Sequence, residues 1–108
     1  MPYDSSADNI VESFVRGVLH HLYESSPRDQ QIAARIIALY WDAVAEDECI
    51  RYASIEQLVD FFLGHPDESL PKITLTPDGT LRARWTQDSG SFTAMEFTGY
   101  EIIQMQGV

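Results

Sequence analysis

One cysteine, one lysine and no uninterrupted apolar stretch of membrane-spanning length set the first limits on this 108-residue chain. Cys49 has no second thiol with which to close an internal disulfide, so a reducing cytoplasm is the expected compartment. No run approaches the roughly 18 to 20 apolar residues that cross a bilayer. The opening Met1-Pro2-Tyr3-Asp4-Ser5-Ser6 carries neither a basic n-region nor an apolar h-region, and no secretion signal is expected from it. Repeats and low-complexity tracts are missing. So are a Walker sequence, a Gly-rich phosphate loop, a G-x-S-x-G elbow and a CxxC pair, which removes the motif-borne routes to phosphoryl transfer, serine hydrolysis and thiol chemistry.

What the chain does carry is negative charge, seventeen acids against seven bases for a net of −10. Thirteen of the acids and four arginines lie up to Leu70, a local net of −9, whereas four acids and three bases from Pro71 onward leave −1. Such a field repels phosphate backbones and attracts cations, so a basic protein partner is expected and direct nucleic-acid binding is not. The apolar fraction of 44% and its tight periodicity argue against disorder. A chain of this length buries somewhat over ~60% of its unfolded surface, enough for one core.

The first part has a helical period. Ala7, Ile10, Val11, Phe14, Val15, Val18, Leu19, Leu22 and Tyr23 fall on one face at 3.6 residues per turn, after a cap at Ser5 or Ser6 with Asp8 as its box partner. A second helix opens at Ser26-Pro27-Arg28-Asp29, with Ser26 as N-cap, Pro27 at the first position and Asp29 completing a capping box. Its apolar band of Ile32, Ala33, Ile36, Ile37, Leu39, Tyr40, Ala43 and Val44 is widened by Trp41. Ser54-Ile55-Glu56-Gln57 reads as a third start, with Ile55, Leu58, Val59 and Phe62 buried, Gly64 at the left-handed stop and Pro66 preventing continuation.

From Lys72 the period becomes two. Ile73 and Leu75 answer Ala83 and Leu81 across a Pro77-Asp78-Gly79 loop, a register that places both apolar sets on one face. A turn at Gln87-Asp88-Ser89-Gly90 leads to Phe92–Phe97. With Trp85 opposite Phe92, a β-bulge near Ala94-Met95 is needed to set Phe97 against Leu81 and Glu96 against Arg82. Thr98-Gly99 then turns into Tyr100–Met105, a strand apolar on both faces: Tyr100 and Ile102 on one, Ile103 and Met105 on the other. The expected fold is α+β: three N-terminal helices (about residues 5–64) followed by a four-stranded antiparallel β-meander (about 71–106), one domain over 1–108.

Few side chains point to chemistry. His20 and His21 project about 100° apart on a helix, and His20 sits in a ladder with Arg16 and Glu24. Cys49 reads as buried and inert, and His65 as incidental to its turn. Arg82 and Arg84 leave the sheet on the face opposite Ile73, where they either grip a carboxylate or phosphate ligand or pair across strands with acids such as Glu96. Asp42 and Glu46, and Glu56 and Asp60, are each four apart on a helix. Facing one another they would form a four-carboxylate cation site, although the Glu-x-x-His element of helical di-metal centres is missing.

The segment Ile73-Thr74-Leu75-Thr76-Pro77-Asp78-Gly79-Thr80-Leu81-Arg82-Ala83-Arg84-Trp85, with Phe92, Glu96 and Phe97, resembles a hairpin module of small bacterial proteins encoded on mobile or defence-related loci. The resemblance implies a helix-then-sheet layout and a bacterial or phage-like source, and brings no catalytic residues with it. Antitoxins and anti-CRISPR inhibitors from that setting are similar in size and charge.

The leading expectation is therefore a non-enzymatic, cytoplasmic binding module without metal or cofactor. It would inhibit or regulate a basic, nucleic-acid-handling protein through Asp42, Glu46, Asp47, Glu48, Glu56 and Asp60. Two alternatives stand beside it: a homodimer or larger homo-oligomer assembled through Tyr100, Ile102, Ile103 and Met105, and a small metal-dependent enzyme built on the carboxylate pairs.

Overall fold

The structure, a computed structural model, describes residues 6–107, with the side chains of 6–12 and of Phe14 left out. Helices α1 (Ser6–Tyr23), α2 (Pro27–Ala45) and α3 (Tyr52–Gly64) precede strands β1 (Lys72–Leu75), β2 (Leu81–Thr86), β3 (Phe92–Phe97) and β4 (Ile102–Gly107). The strands form one antiparallel sheet in the order β1-β2-β3-β4, so the chain has the expected α+β meander. The α2 helix lies on β1, and α3 on β2 and β3. The α1 helix packs on α2 and α3 without touching a strand, and β4 is covered by no helix.

One core joins these layers. Leu19 and Leu22 of α1, Ile32 and Ile36 of α2, Leu58 and Phe62 of α3, and Leu81 and Phe97 of the sheet are all fully buried. Burial stabilises each such side chain by about 1.5–3 kcal/mol relative to exposure. The expected α2 band is narrower than its sequence suggests, because Trp41 and Val44 remain exposed.

The helix ends show which local signals operate. Ser26 caps α2 as expected, its Oγ accepting the Asp29 N–H at 3.2 Å. The Asp29 carboxylate does not close the box. It is buried and takes Arg28 Nε at 2.9 Å and Nη2 at 2.6 Å. The proposed cap at Ser5 lies outside the described residues, as does the Asp8 side chain.

At α3 the sequence expectation is corrected. The helix starts at Tyr52 with Arg51 at the N-cap and no side-chain cap, so Ser54 is inside its first turn. The Ser54 hydroxyl is fully buried, accepts the Leu81 N–H at 2.9 Å and donates to the Phe97 carbonyl at 2.5 Å. It bridges the helix to the ends of β2 and β3. Nor is Gly64 a left-handed stop: it is the last helical residue, and His65 caps with φ −131°. The left-handed position falls at the end of α2 instead, where Asp47 has φ 57°.

No bulge interrupts β3. Gln87 N–H donates to Ser91 O at 2.8 Å across a three-residue loop, with Gly90 at φ 88°. That loop sets Thr86, not Trp85, opposite Phe92, and plain alternation then brings Glu96 to Arg82 and Phe97 to Leu81. The last turn is also shifted by one residue. Its central residues are Gly99 and Tyr100, and Thr98 N–H donates to Glu101 O at 3.1 Å. Gly99 is required there: at φ 95° an added Cβ would lie 2.8 Å from the Ala53 Cβ of α3.

Ser54→Ala removes one donor and one acceptor from a buried site, and a loss of about 2 kcal/mol is expected. Urea unfolding followed by circular dichroism measures it; a loss under about 0.5 kcal/mol would show the bridge to be idle.

Candidate functional site

The α1 and α3 helices meet along a groove of about 390 Å³. Ser13, Gly17 and His21 form one wall and Tyr52, Glu56 and Asp60 the other, over a floor of Val18, Val59 and Leu63. Both walls follow the four-residue spacing that stacks side chains along a helix. Glu56 and Asp60, singled out from sequence, are brought together here. Ser13 and Tyr52 were not singled out, and His21 was weighed only as half of the His20–His21 pair; the signal for all three was those matching four-residue stripes. Burial, and then the adjacent Glu56 carboxylate, push the Tyr52 phenol above its ordinary pKa of 10.0. The groove thus presents two carboxylates beside a neutral phenol, a set able to accept hydrogen bonds from a cation.

Asp42, Glu46, Asp47 and Glu48 occupy the end of α2, all exposed. Glu46 is the C-cap, Asp47 N–H donates to Val44 O at 3.2 Å, and Glu48 N–H reaches Ala43 O at 2.7 Å. These bonds make a Schellman motif, whose left-handed position favours glycine. Negative charge at a helix C-terminus also opposes the macrodipole. Three acids therefore stand where the dipole disfavours them, and one of them, Asp47, where the backbone does as well.

The two carboxylate pairs do not face each other. Glu56 and Asp60 turn toward α1, whereas no α2 residue lines their groove. Among the described residues no three His, Cys, Asp or Glu groups converge as metal ligands would, so the four-carboxylate cation site is not formed. The expected inert, buried Cys49 is exposed instead, in the connector after the Schellman turn. His20 completes its ladder with Glu24 at 3.1 Å. His65 stacks on Phe61 with ring centroids 4.2 Å apart.

On the sheet face away from the helices, Arg82 pairs with Glu96 at 2.9 Å, as expected. Arg84 lies over the Phe92 ring, 4.0 Å from its centroid. Of the four residues singled out on the last strand, Ile102 faces the helical side, Ile103 and Met105 the open side, and Tyr100 is in the turn, 89% exposed.

Among the described residues, none of the six acids Asp42, Glu46, Asp47, Glu48, Glu56 and Asp60 has an ion pair or accepts a side-chain hydrogen bond. No helix among them is long and apolar enough to cross a membrane.

Two outcomes follow from this geometry. Asp47→Gly relieves the left-handed residue and removes a misplaced charge, and a gain of about 1 kcal/mol is expected, read from the urea midpoint. For Tyr52, a folded pKa above the unfolded value of 10.0 gives stability that is complete below pH 10 and is lost as pH rises through the raised value. Glu56→Gln removes the second cause, so the Tyr52 tyrosinate titration, isolated by difference from Tyr52→Phe, is expected to move down toward 10.0.

No family model matches the chain, and comparison with curated proteins and with solved structures returned no match.

Proposed function

We propose that this chain is a non-enzymatic acidic binding module that docks a basic, nucleic-acid-handling protein on its helical side and so inhibits or regulates it, in the manner of an antitoxin or an anti-defence inhibitor. The observation that carries the reading is the set of six exposed carboxylates on α2, α3 and the connector between them, none ion-paired among the described residues. Stability does not account for them. Asp47 occupies a glycine position, and the α2 acids oppose their own helix dipole. A partner bearing lysines and arginines turns that unfavourable placement into binding energy and steers its own approach. The α1–α3 groove gives one of those side chains an acidic wall and an apolar floor. The reading places the protein in the cytoplasm, where the exposed Cys49 thiol stays reduced.

Affinity capture from the source cell at low and at high salt tests this. A basic protein is expected at low salt and lost at high salt, because exposed charges are screened within about 8–10 Å near physiological ionic strength. Neutralising Asp42, Glu46, Glu56 and Asp60 to Asn or Gln together is expected to weaken capture by at least about tenfold. Recovery of no basic protein under either condition would overturn the reading.

A further inference from the structure

The two edges of the sheet are treated differently. Thr76 N–H donates to Thr80 O at 2.9 Å, so alternation turns the Ile73 backbone to the outside of β1, where Arg35 Nε takes its carbonyl at 3.0 Å. Pro71 precedes that strand, Lys72 begins it and Pro77 closes it. Charge, proline and a covering side chain are the devices that stop an edge from pairing. Among the described residues the β4 edge has none of them. Residues 102–107 hold no charge and no proline, and no helix touches the strand. The Thr98–Glu101 bond directs the backbones of Ile103, Met105 and Gly107 toward β3. The N–H and C=O groups of Ile102, Gln104 and Gln106 therefore point outward.

We propose that β4 pairs with β4 of a second copy of this chain, antiparallel about a two-fold axis at Gln104, joining two four-stranded sheets into one of eight strands. The strand is self-complementary in that register. Gln104 meets Gln104 and Ile102 meets Gln106, so every outward N–H and C=O finds an outward partner. On the open face Ile103, 41% exposed, packs against Met105 of the second copy, and symmetry makes the contact twice. Sliding by two residues sets either Ile103 against its own equivalent, with Met105 opposite Glu101, or Met105 against its own, with Ile103 opposite Gly107. Only the Gln104-centred register gives both an unlike apolar partner.

Charge favours this occupant over a foreign basic strand. The interface joins two uncharged strands of the half whose net charge is −1, and the −9 halves stay out of it. A two-fold axis normal to the sheet puts both acidic helical layers on the same side, where they repel, so association strengthens with salt. Docking of a basic partner weakens with salt, which keeps the two proposals separable. A single short strand per copy places the dimer in the small, weak class of interfaces.

Sedimentation equilibrium of the full chain across the micromolar range, at low and high salt, tests the pairing. A reversible monomer–dimer equilibrium that tightens with salt is expected. Ile103→Glu puts a charge into the contact at an exposed position. Gln104→Pro removes an N–H that β3 does not use. Each is expected to weaken association by about tenfold or more while leaving the melting temperature within a few degrees. As a second measurement, Gln104→Cys in a Cys49→Ser chain is expected to form a disulfide-linked dimer under mild oxidation, since directly opposed Cα atoms about 5.5 Å apart suit the bond. A monomer at every concentration and salt, or a dimer indifferent to both edge variants, would overturn the proposal.

Discussion

Arg28 is the side chain on which the arrangement of helices and sheet depends. From the first turn of α2 it reaches the far end of α3, donating through Nη1 to the carbonyls of His65 (2.8 Å) and Glu68 (2.6 Å) and through Nη2 to that of Phe62 (2.8 Å). Its Nε and Nη2 also hold the buried Asp29 carboxylate, and the guanidinium lies 5.3 Å from the Phe62 ring centroid. Only a planar fork of five donors can do this; an ammonium is a point charge. At the end of α3 Arg28 meets the Phe62 carbonyl and that of the C-cap His65, and the His65 ring nitrogen Nδ1 lies 2.7 Å from the Phe61 carbonyl, while Gly64 stays helical. The connector that follows is then aimed at the sheet, where Trp85 Nε1 donates to Ser69 O at 2.8 Å and delivers the chain to β1. Asp29 without Arg28 would be a buried charge with no counterion, the costly half of a broken pair.

That anchoring leaves the molecule two-sided. Helices cover three strands and stop short of the fourth, so the apolar groups of β4 are exposed on a chain whose other surface is strongly acidic. Unlike Asp29 in the first turn of α2, which Arg28 holds, the exposed acids at the end of that helix oppose its dipole, and the outward backbone groups of β4 take no part in the sheet.

Sequence patterns reached the β1–β2 register, the Ser26 cap and most of the buried helical positions among the described residues, because each depends on near neighbours or on strict alternation. At α3 the expectation failed because of long-range contact. Ser54-x-x-Gln57 has the form of a capping box, yet both side chains serve the sheet: Ser54 bridges Leu81 and Phe97, and Gln57 Oε1 accepts the Gly99 N–H at 2.9 Å. No bulge forms near Ala94-Met95, because the three-residue loop closed by Gln87 and Ser91 already sets the register. For the site, exposure of the acids was legible from their spacing. The groove was not, since it exists only where the Ser13-Gly17-His21 stripe happens to meet the Tyr52-Glu56-Asp60 stripe.

The loops Pro77-Asp78-Gly79 and Asp88-Ser89-Gly90 are built alike, each closed by a hydrogen bond across a three-residue span with glycine at its third position. Their length fixes the parity of everything downstream. One residue inserted into the second loop would turn Met95 and Phe97 to the open face and send Ala94 and Glu96 toward the helices. Between Leu81 and Gly107 the chain can therefore exchange residues in evolution far more readily than it can gain or lose one, while the connectors between its helices carry no such restriction.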